Sequence, residues 1–209
     1  DGLMAAIASA RMGIETSFVT RIGEDAFSDW LLRTWDGEHL HLDHVRRVAG
    51  PNGLLLLSQL EDSRERISYR SATNAAMLDE TDIAHLPWPM SVFGYTTGSL
   101  QTAGSRTRDA LVQAFTDARA QGARTVYNPT LRPGLWPDGD SRQARLAFDQ
   151  LIEHTDILIT KAPFASGQLL GEPSAEEAAL AAQRRGVSEV VVRDPLGGCV
   201  VADQSGTHT

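Results

Sequence analysis

The chain has 209 residues, 42% of them hydrophobic and 22% charged, which predicts one main domain with a core that needs neither disulfides nor a structural metal. No apolar run approaches the ~20 residues that a membrane-spanning helix requires. The formal net charge of −8 disfavours nucleic acid as a partner, because binding to phosphates relies on basic surface.

The first 36 residues predict two helices around a short strand. Residues 3–12 are small and apolar on nearly every face, which indicates a buried helix that ends at Gly13. Residues 16–21 predict a strand. A helix should follow, because large apolar residues recur at helical spacing: Phe27, Trp30, Leu31 and Trp35.

Residues 37–72 differ in character from the helix-rich sequence around them. Residues 45–48, 54–60 and 66–70 have the composition of strands, and polar turns separate them. This pattern predicts a three-stranded antiparallel meander inserted into the chain.

Strands and helices alternate beyond residue 90. The pattern is typical of a mostly parallel sheet covered by helices on both faces. Ligands of such sheets bind at the carboxyl ends of the strands. The predicted strands are 91–94, 124–127, 156–159, 189–192 and 199–202, and the predicted helices are 104–121, 141–154 and 175–185, the last with a capping box from Ser174 to Glu177.

Two arginines are candidates for binding an anion. Arg132 lies between Pro129 and Pro133 in the loop after a predicted strand, and its planar fork suits a carboxylate or a phosphate. Arg70 ends the predicted meander and would add a second cation if the meander is a lid. The alternatives are an ion pair with a nearby acid for Arg132, and an edge-strand residue that maintains solubility for Arg70.

The remaining reactive side chains favour structural roles. Cys199, the only cysteine, has the sequence context of a buried strand position, without a neighbouring base to activate it. The histidines at 39, 41 and 44 lack an evident fourth ligand, so we predict a solvated turn there and no metal site. Gly197 and Gly198 predict a hairpin turn.

The ends of the sequence carry two further expectations. The chain starts without a methionine or a signal peptide and ends in a polar stretch just after a strand. We therefore expect a chain that is truncated at both ends. The lack of a signal peptide and of paired cysteines also predicts a cytoplasmic protein.

Five segments in order resemble the PfkB (ribokinase-like) carbohydrate kinases, and most closely the 2-keto-3-deoxygluconate kinases. The resemblance covers essentially the whole chain and implies an α/β, ribokinase-like fold: a mostly parallel, Rossmann-like sheet flanked by helices, with a small β lid. It also implies an incomplete core over 1–36 and 73–209 and a lid over 37–72. The matching segments are residues 1–13 (with Asp1-Gly2-Leu3-Met4 and Ala10-Arg11-Met12-Gly13), 19–28 (with Gly23-Glu24-Asp25-Ala26-Phe27), 45–72, 128–136 (Asn128-Pro129-Thr130-Leu131-Arg132-Pro133-Gly134-Leu135-Trp136) and 193–199 (Arg193-Asp194-Pro195-Leu196-Gly197-Gly198-Cys199).

The resemblance implies transfer of a phosphoryl group from ATP, with Mg²⁺, to a hydroxyl group of a sugar acid. No catalytic residue can be named, because the family's catalytic Asp would lie beyond Thr209. The residues that the resemblance assigns to substrate binding are Asp1, Gly2, Arg70 and Arg132, and those that it assigns to nucleotide binding are Arg193 and Gly198.

Several positions depart from the family pattern. Ala162 and Ala165 stand where the family has an Asn/Ser-x-x-Glu pair that helps to place phosphate and metal, and Pro195 replaces a glycine of the nucleotide hairpin. Further departures lie at Met4 for a substrate-binding Asn, at Leu55 and Ser68 for two lid tyrosines, at Asn128 for an Asp and at Arg193 for a Lys.

Three functions stay open at this point. The first is a kinase for a sugar acid such as 2-keto-3-deoxygluconate. The second is a degenerate relative that binds a sugar acid or a protein partner without catalysis, and the third is a kinase for a neutral sugar such as fructose or ribose. The partners expected are a sugar, ATP and a second copy of the chain, since apolar lid residues among Leu54, Leu55, Leu56 and Leu57 would be covered in a lid-mediated homodimer.

Overall fold

A computed structural model describes residues 2–59, 65–69, 78–84, 86–88, 93–132, 136, 141–195 and 197–209, with the side chains of 55–59, 65–69 and 93 excepted. Contacts within the chain divide it into two compact units, residues 1–85 and 86–209. This division differs from the predicted core and lid, which remain a prediction. Each unit is described by itself.

The first unit is built around a short parallel sheet. Its elements are helix α1 (Gly2–Arg11), strand β1 (Thr20–Ile22), helix α2 (Ser28–Gly37), strand β2 (Val45–Arg47), strands β3 (Leu55–Gln59) and β4 (Glu65–Tyr69), and helix α3 (Glu80–Ile83). Strands β1 and β2 pair in parallel, with Thr20 opposite Val45. The buried centre of this unit consists of Ile22, Trp35 and Leu40.

Two predictions for this unit need correction. Helix α1 has the predicted extent, but none of its residues is buried, because only the face with Leu3, Ile7 and Ala10 packs on the centre of the unit. The predicted meander is also wrong, since its first strand pairs in parallel with β1. Only β3 and β4 form the antiparallel hairpin. The prediction failed because the hydrophobic pattern of a strand does not show which strand it pairs with.

A buried ion cluster fixes α3 to the sheet of the first unit. Arg21 binds Asp82 through both carboxylate oxygens, with Nη2–Oδ2 at 2.8 Å and Nε–Oδ1 at 3.1 Å. The Asp82 side chain is only 1% exposed, and Arg46 also reaches it at 2.9 Å. Asp79 caps the helix and lies 2.9 Å from Arg21. The cluster thereby ties both strands, β1 and β2, to one short helix.

This cluster predicts an acid-sensitive contribution to stability. The hydrogen bond from the Thr81 hydroxyl, assisted by the Thr81 N–H and by Arg21, lowers the pKa of Asp79 from 3.8 to about 2. A carboxyl whose pKa is lower in the folded chain stabilises it fully above its unfolded pKa and loses this effect as pH falls through the folded value. Asp79→Asn, which keeps a helix cap, should therefore lower the free energy of unfolding by roughly 1–2 kcal/mol at pH 7 after allowance for solvent screening.

The measurement is urea unfolding of wild type and variant from pH 7 to pH 2. The difference between them should stay constant down to about pH 4 and shrink towards pH 2, in line with the lowered pKa of Asp79. Asp36→Asn, on the exposed side of α2, is the control. A difference that is the same at every pH would contradict the assignment.

The second unit is a six-stranded sheet with helices. Four parallel strands, β5 to β8, are followed by two antiparallel ones, and the strands lie side by side in chain order from β5 to β10. The elements are β5 (Phe93–Thr97), a 3₁₀ turn (Leu100–Ala103), α4 (Ser105–Ala120), β6 (Arg124–Asn128), α5 (Ser141–Ile152), β7 (Ile157–Lys161), α6 (Phe164–Leu170), α7 (Ala175–Arg184), β8 (Glu189–Arg193), β9 (Cys199–Asp203) and β10 (Gly206–His208). The helices predicted in this half are confirmed, and so are the strands predicted at 124–127, 156–159, 189–192 and 199–202. The strand predicted at 91–94 is found at Phe93–Thr97, while residues 91 and 92 lie outside the described residues. Helix α6 and strand β10 were not predicted.

The main core of this unit joins α4 to α7 to one face of the sheet. It includes Phe115 of α4, Phe148 of α5 and the strand residues Leu158, Val190 and Ala202. On the other face, four apolar strand residues are only half-buried by the described part of the chain: Ile157, Ile159, Val191 and Val201. Full coverage of both faces, as the strand pattern predicted, is therefore not seen for β7 to β9. No helix among the described residues combines the length and apolarity needed to cross a membrane.

Two local predictions have different outcomes. Ser174 does cap α7, since its hydroxyl accepts the N–H of Glu177 at 3.5 Å. The prediction that Cys199 is buried is wrong, because the thiol is exposed. Cys199 begins β9, and its side chain projects from the face opposite to the buried Val200. The period-2 alternation of a strand decides this, and the apolar run alone did not reveal the phase.

Candidate functional site

The carboxyl ends of the parallel strands bring four polar residues to one edge of the second unit. Strands β5, β6, β7 and β8 end at Thr97, Asn128, Lys161 and Arg193. Thr97 is the register partner of Asn128, and Lys161 is the register partner of Arg193. Parallel strands present their carboxyl ends together, and ligands of open α/β sheets bind there. This edge is therefore the candidate site.

Asn128 fixes the loop that follows β6. Its side-chain amide donates to the Tyr95 hydroxyl at 3.2 Å, and its Oδ1 accepts from the Thr130 hydroxyl at 3.1 Å. Its backbone carbonyl accepts the N–H groups of Thr130 at 2.7 Å and Gly98 at 2.9 Å. A carboxylate at this position would accept from Thr130 but would have no N–H to donate. The departure from Asp to Asn therefore leaves residue 128 hydrogen-bonded through both its side-chain oxygen and its side-chain nitrogen.

Gly98 allows this loop to approach the end of β5. A Cβ atom at residue 98 would lie 3.0 Å from the Pro129 Cα and 3.2 Å from the Thr130 backbone nitrogen. Side chains are not tolerated at such distances from backbone atoms unless the backbone moves. The close approach is a tertiary contact between residues 31 positions apart in the chain.

Arg132 follows this fixed segment and lies four residues beyond the end of β6. Its neighbour Leu131 packs on the core of the unit, and Arg132 itself is half-buried and interacts with other groups of the chain. Both flanking anchors, Asn128 and Leu131, limit where the guanidinium can go. The structure thus places Arg132 in the loop at the carboxyl edge of the sheet, and its role in binding an anion remains a prediction.

Arg193 and Gly198 lie in the hairpin between β8 and β9. The hairpin closes with Asp194 N–H donating to the Gly198 carbonyl at 3.1 Å. Gly197 and Gly198 have φ values of +96° and +115°, a region that favours glycine. Among the described residues, apart from the adjacent ones in the chain, no heavy atom lies within 4 Å of a Cβ built at either glycine. The predicted turn is confirmed, and the space around it is open.

Other predicted site residues lie in the first unit or outside the described residues. Gly2 begins α1 in the first unit. Asp1, Arg70 and Pro133 lie outside the described residues. Ala162 is 3% exposed and its N–H donates to the Arg193 carbonyl at 3.0 Å, which links the segment before α6 to the hairpin between β8 and β9.

Lys161 was not among the site residues predicted from the sequence. This residue ends β7 at the candidate site, is exposed, and is the only lysine in the sequence. That it is the only lysine was the one sequence feature that could have singled it out as a candidate site residue. The strand pattern alone gave no reason to place it beside Arg193, because that pairing depends on the register of two strands 32 residues apart.

Two further features bear on the location of the site. A hollow of about 510 Å³ lies at the opposite edge, beside the first residues of β6 and β8, where Arg124 and Glu189 form an ion pair at 2.8 Å. The amino ends of the strands are not where ligands of such sheets bind. Within the described ranges, no group of three or more His, Cys, Asp or Glu side chains is placed to bind a metal ion.

Comparison with known protein families gives a match over the complete sequence. Residues 1–209 fit the model of the "pfkB family carbohydrate kinase". The chain belongs to this family. The resemblance inferred from the sequence segments is thereby confirmed, and so is the ribokinase-like fold with its mostly parallel sheet and flanking helices.

Curated relatives have different substrates. The chain is 26% identical over 191 residues to the 2-dehydro-3-deoxygluconokinase of Escherichia coli K12, covering 88% of this chain and 61% of that protein. It is 28% identical over 156 residues to the probable chloroplastic fructokinase-6 of Arabidopsis thaliana, covering 73% of this chain and 40% of that protein. The chain thus spans about three fifths of the length of the bacterial relative.

Solved structures share the fold. The PfkB protein from Polaromonas sp. JS666 superposes with a TM-score of 0.88 at 25% identity, over 99% of this chain and 69% of that one. A fructokinase from Xylella fastidiosa gives a TM-score of 0.86 at 16% identity, over 99% of this chain and 66% of that one. These similarities support the architecture of both units and do not identify the sugar that the chain binds.

Proposed function

We propose that the full-length protein transfers the γ-phosphoryl group of ATP to a hydroxyl group of a sugar acid such as 2-keto-3-deoxygluconate. Arg132 carries this proposal, because a guanidinium held at the carboxyl edge of the sheet matches a carboxylate through two parallel hydrogen bonds. The family match over residues 1–209 supports the reaction type. Arg70, Asp1 and Gly2 are proposed as further substrate-binding residues on the resemblance alone.

The reaction breaks the bond between the γ-phosphorus and the oxygen that leaves with ADP, and it forms a bond to the sugar oxygen. The proton of the sugar hydroxyl passes to a general base. The resemblance places that base in a segment beyond Thr209. Arg193 and Gly198 are proposed to border the nucleotide. Mg²⁺ is expected to arrive with ATP.

A kinase for a neutral sugar is the second candidate. The similarity to fructokinases, including the 28% identity to the Arabidopsis protein, favours it. A neutral sugar has no carboxylate for Arg132, so half-burying this cation near the site would bring no gain in substrate binding. For that reason the sugar acid is preferred.

A non-catalytic relative is the third candidate. Ala162 and Ala165 have no side-chain oxygen where the resemblance has one for phosphate and metal. This loss weakens the placement of phosphate without removing the general base, which lies elsewhere. The homodimer predicted through the lid and the cytoplasmic location are independent of this choice and remain predictions.

The test is ADP release by the full-length protein with Mg²⁺–ATP and each of three sugars: 2-keto-3-deoxygluconate, fructose and ribose. The sugar acid should give a kcat/KM at least about 10-fold above the others, since charge-assisted hydrogen bonds discriminate strongly. Faster turnover of fructose or ribose would favour the second candidate. Binding of the sugar acid without turnover of any sugar would favour the third.

A further inference from the structure

Lys161 and Arg193 form a pair of cations at the edge of the sheet. Lys161 is the last residue of β7 and Arg193 the last residue of β8, and the two are register partners. Register partners in neighbouring strands project from the same face of the sheet. Both residues are exposed, so an ammonium group and a guanidinium group face solvent side by side.

This pair carries positive charge that the described part of the chain does not neutralise. Among the described residues, no ion pair or hydrogen bond is made by the side chain of Lys161 or by that of Arg193. The next residue on the same face, Cys199, is the register partner of Arg193 and contributes no carboxylate. Like charges directly opposite each other on a sheet are unfavourable. An anion bound between them would relieve this repulsion.

The residues beside the pair indicate which anion this is. Ala162 follows Lys161 directly and is buried, and Ala165 is half-buried on α6. In the family pattern that the chain resembles, an Asn or Ser and a Glu stand at these two positions, and their side-chain oxygens help to place phosphate and metal. In this chain both positions have only a methyl group. On the other side, the hairpin glycine Gly198 leaves open space that a large ligand can enter. The cation Lys161 thus directly precedes Ala162, the first of the two positions without a side-chain oxygen.

We propose that Lys161 binds the phosphate chain of the nucleotide together with Arg193, and compensates in charge for the missing oxygen ligands at 162 and 165. The proposal rests on the proposed use of ATP and adds a residue to that site. Lys161 acts as a phosphate-binding residue, since an ammonium group is a compact charge with three donors. It takes no part in proton transfer.

The first test measures binding to the full-length protein by calorimetry, with ATP, adenosine and inorganic tripolyphosphate as probes. Lys161→Ala should weaken ATP and tripolyphosphate binding by about 10-fold or more, the usual range for loss of a hydrogen bond between charged groups. Adenosine binding should be unchanged, because it has no phosphate. Lys161→Arg should recover most of the affinity. Arg145→Ala, which removes an exposed cation on α5, is the matched control and should behave as wild type.

The second test uses the chemistry of the lysine itself. Acetylation of the Lys161 amine, followed by mass spectrometry of its peptide, should slow in the presence of ATP and should not respond to adenosine. This readout needs no substitution and no turnover. Equal acetylation with and without ATP would overturn the proposal.

The outcomes separate this proposal from the proposed function. If the wild type turns over ATP and Lys161→Ala binds ATP as tightly as wild type, the role of Lys161 is refuted and the kinase remains. If the wild type binds tripolyphosphate in a Lys161-dependent way but does not turn over ATP with any sugar, the phosphate site stands and the kinase is refuted. If the wild type binds neither ATP nor tripolyphosphate, both are refuted.

Discussion

Replacing Arg132 with alanine in the full-length protein is expected to lower kcat/KM for 2-keto-3-deoxygluconate by about 100-fold. The variant loses the charge-assisted hydrogen bonds to the carboxylate; a bond of this kind contributes a net ~1.5–3 kcal/mol, and a 100-fold change corresponds to about 2.7 kcal/mol. The loop anchors at Asn128 do not involve the Arg132 side chain, so the loop itself should keep its conformation. The same substitution should change kcat/KM for fructose by less than about 3-fold, because fructose offers no carboxylate.

Two further variants sharpen this result. Arg132→Lys keeps the charge but loses the planar fork, and it should recover only part of the activity towards the sugar acid. Arg145→Ala controls for removal of a surface cation. An equal loss for the sugar acid and for fructose would show that Arg132 maintains the structure of the site and does not recognise the carboxylate.

Asn52→Leu is expected to lower the free energy of unfolding by about 3 kcal/mol. Asn52 is 7% exposed, and its side chain joins its own segment to the turn formed by residues 23–28. Its Oδ1 accepts the Gly23 N–H at 2.8 Å, and its Nδ2 donates to Asp25 Oδ1 at 2.6 Å and to Ser28 Oγ at 2.8 Å. Leucine has a similar volume but removes all three bonds and takes the acceptor from the buried Gly23 N–H, a loss that by itself costs about 1–3 kcal/mol.

The network also anchors the base of the β3–β4 hairpin, which begins three residues after Asn52. The Asn52 N–H donates to Asp25 Oδ2 at 2.8 Å, and Glu24 N–H donates to the Gly50 carbonyl at 3.0 Å. The measurement is urea unfolding followed by circular dichroism. Gln150→Leu, an exposed amide on α5, is the control and should change stability by less than about 0.5 kcal/mol. A similarly small effect of Asn52→Leu would contradict the structural role of the network.

Local sequence features were sufficient to predict the order and type of most elements in the second unit, with α6 and β10 as the exceptions. The apolar runs that became β7, β8 and β9 and the caps and stops around α4 and α7 are local features, because a period of 2 or 3.6 and a residue such as Ser174 act within a few positions. The family segments also determined Arg132 and Arg193 as candidate residues. These predictions did not require knowledge of which strand lies next to which.

Tertiary structure alone decided the pairing and the phase of the strands. Val45 pairs in parallel with Thr20 rather than with the next strand, and Cys199 faces outward rather than inward, since register and facing depend on partners far away in the chain. The same register places Lys161 next to Arg193. The residues of a strand determine that it is a strand, whereas the neighbouring strands determine which charged residues lie side by side at its end. In this protein the two cations brought together in this way form the proposed phosphate site.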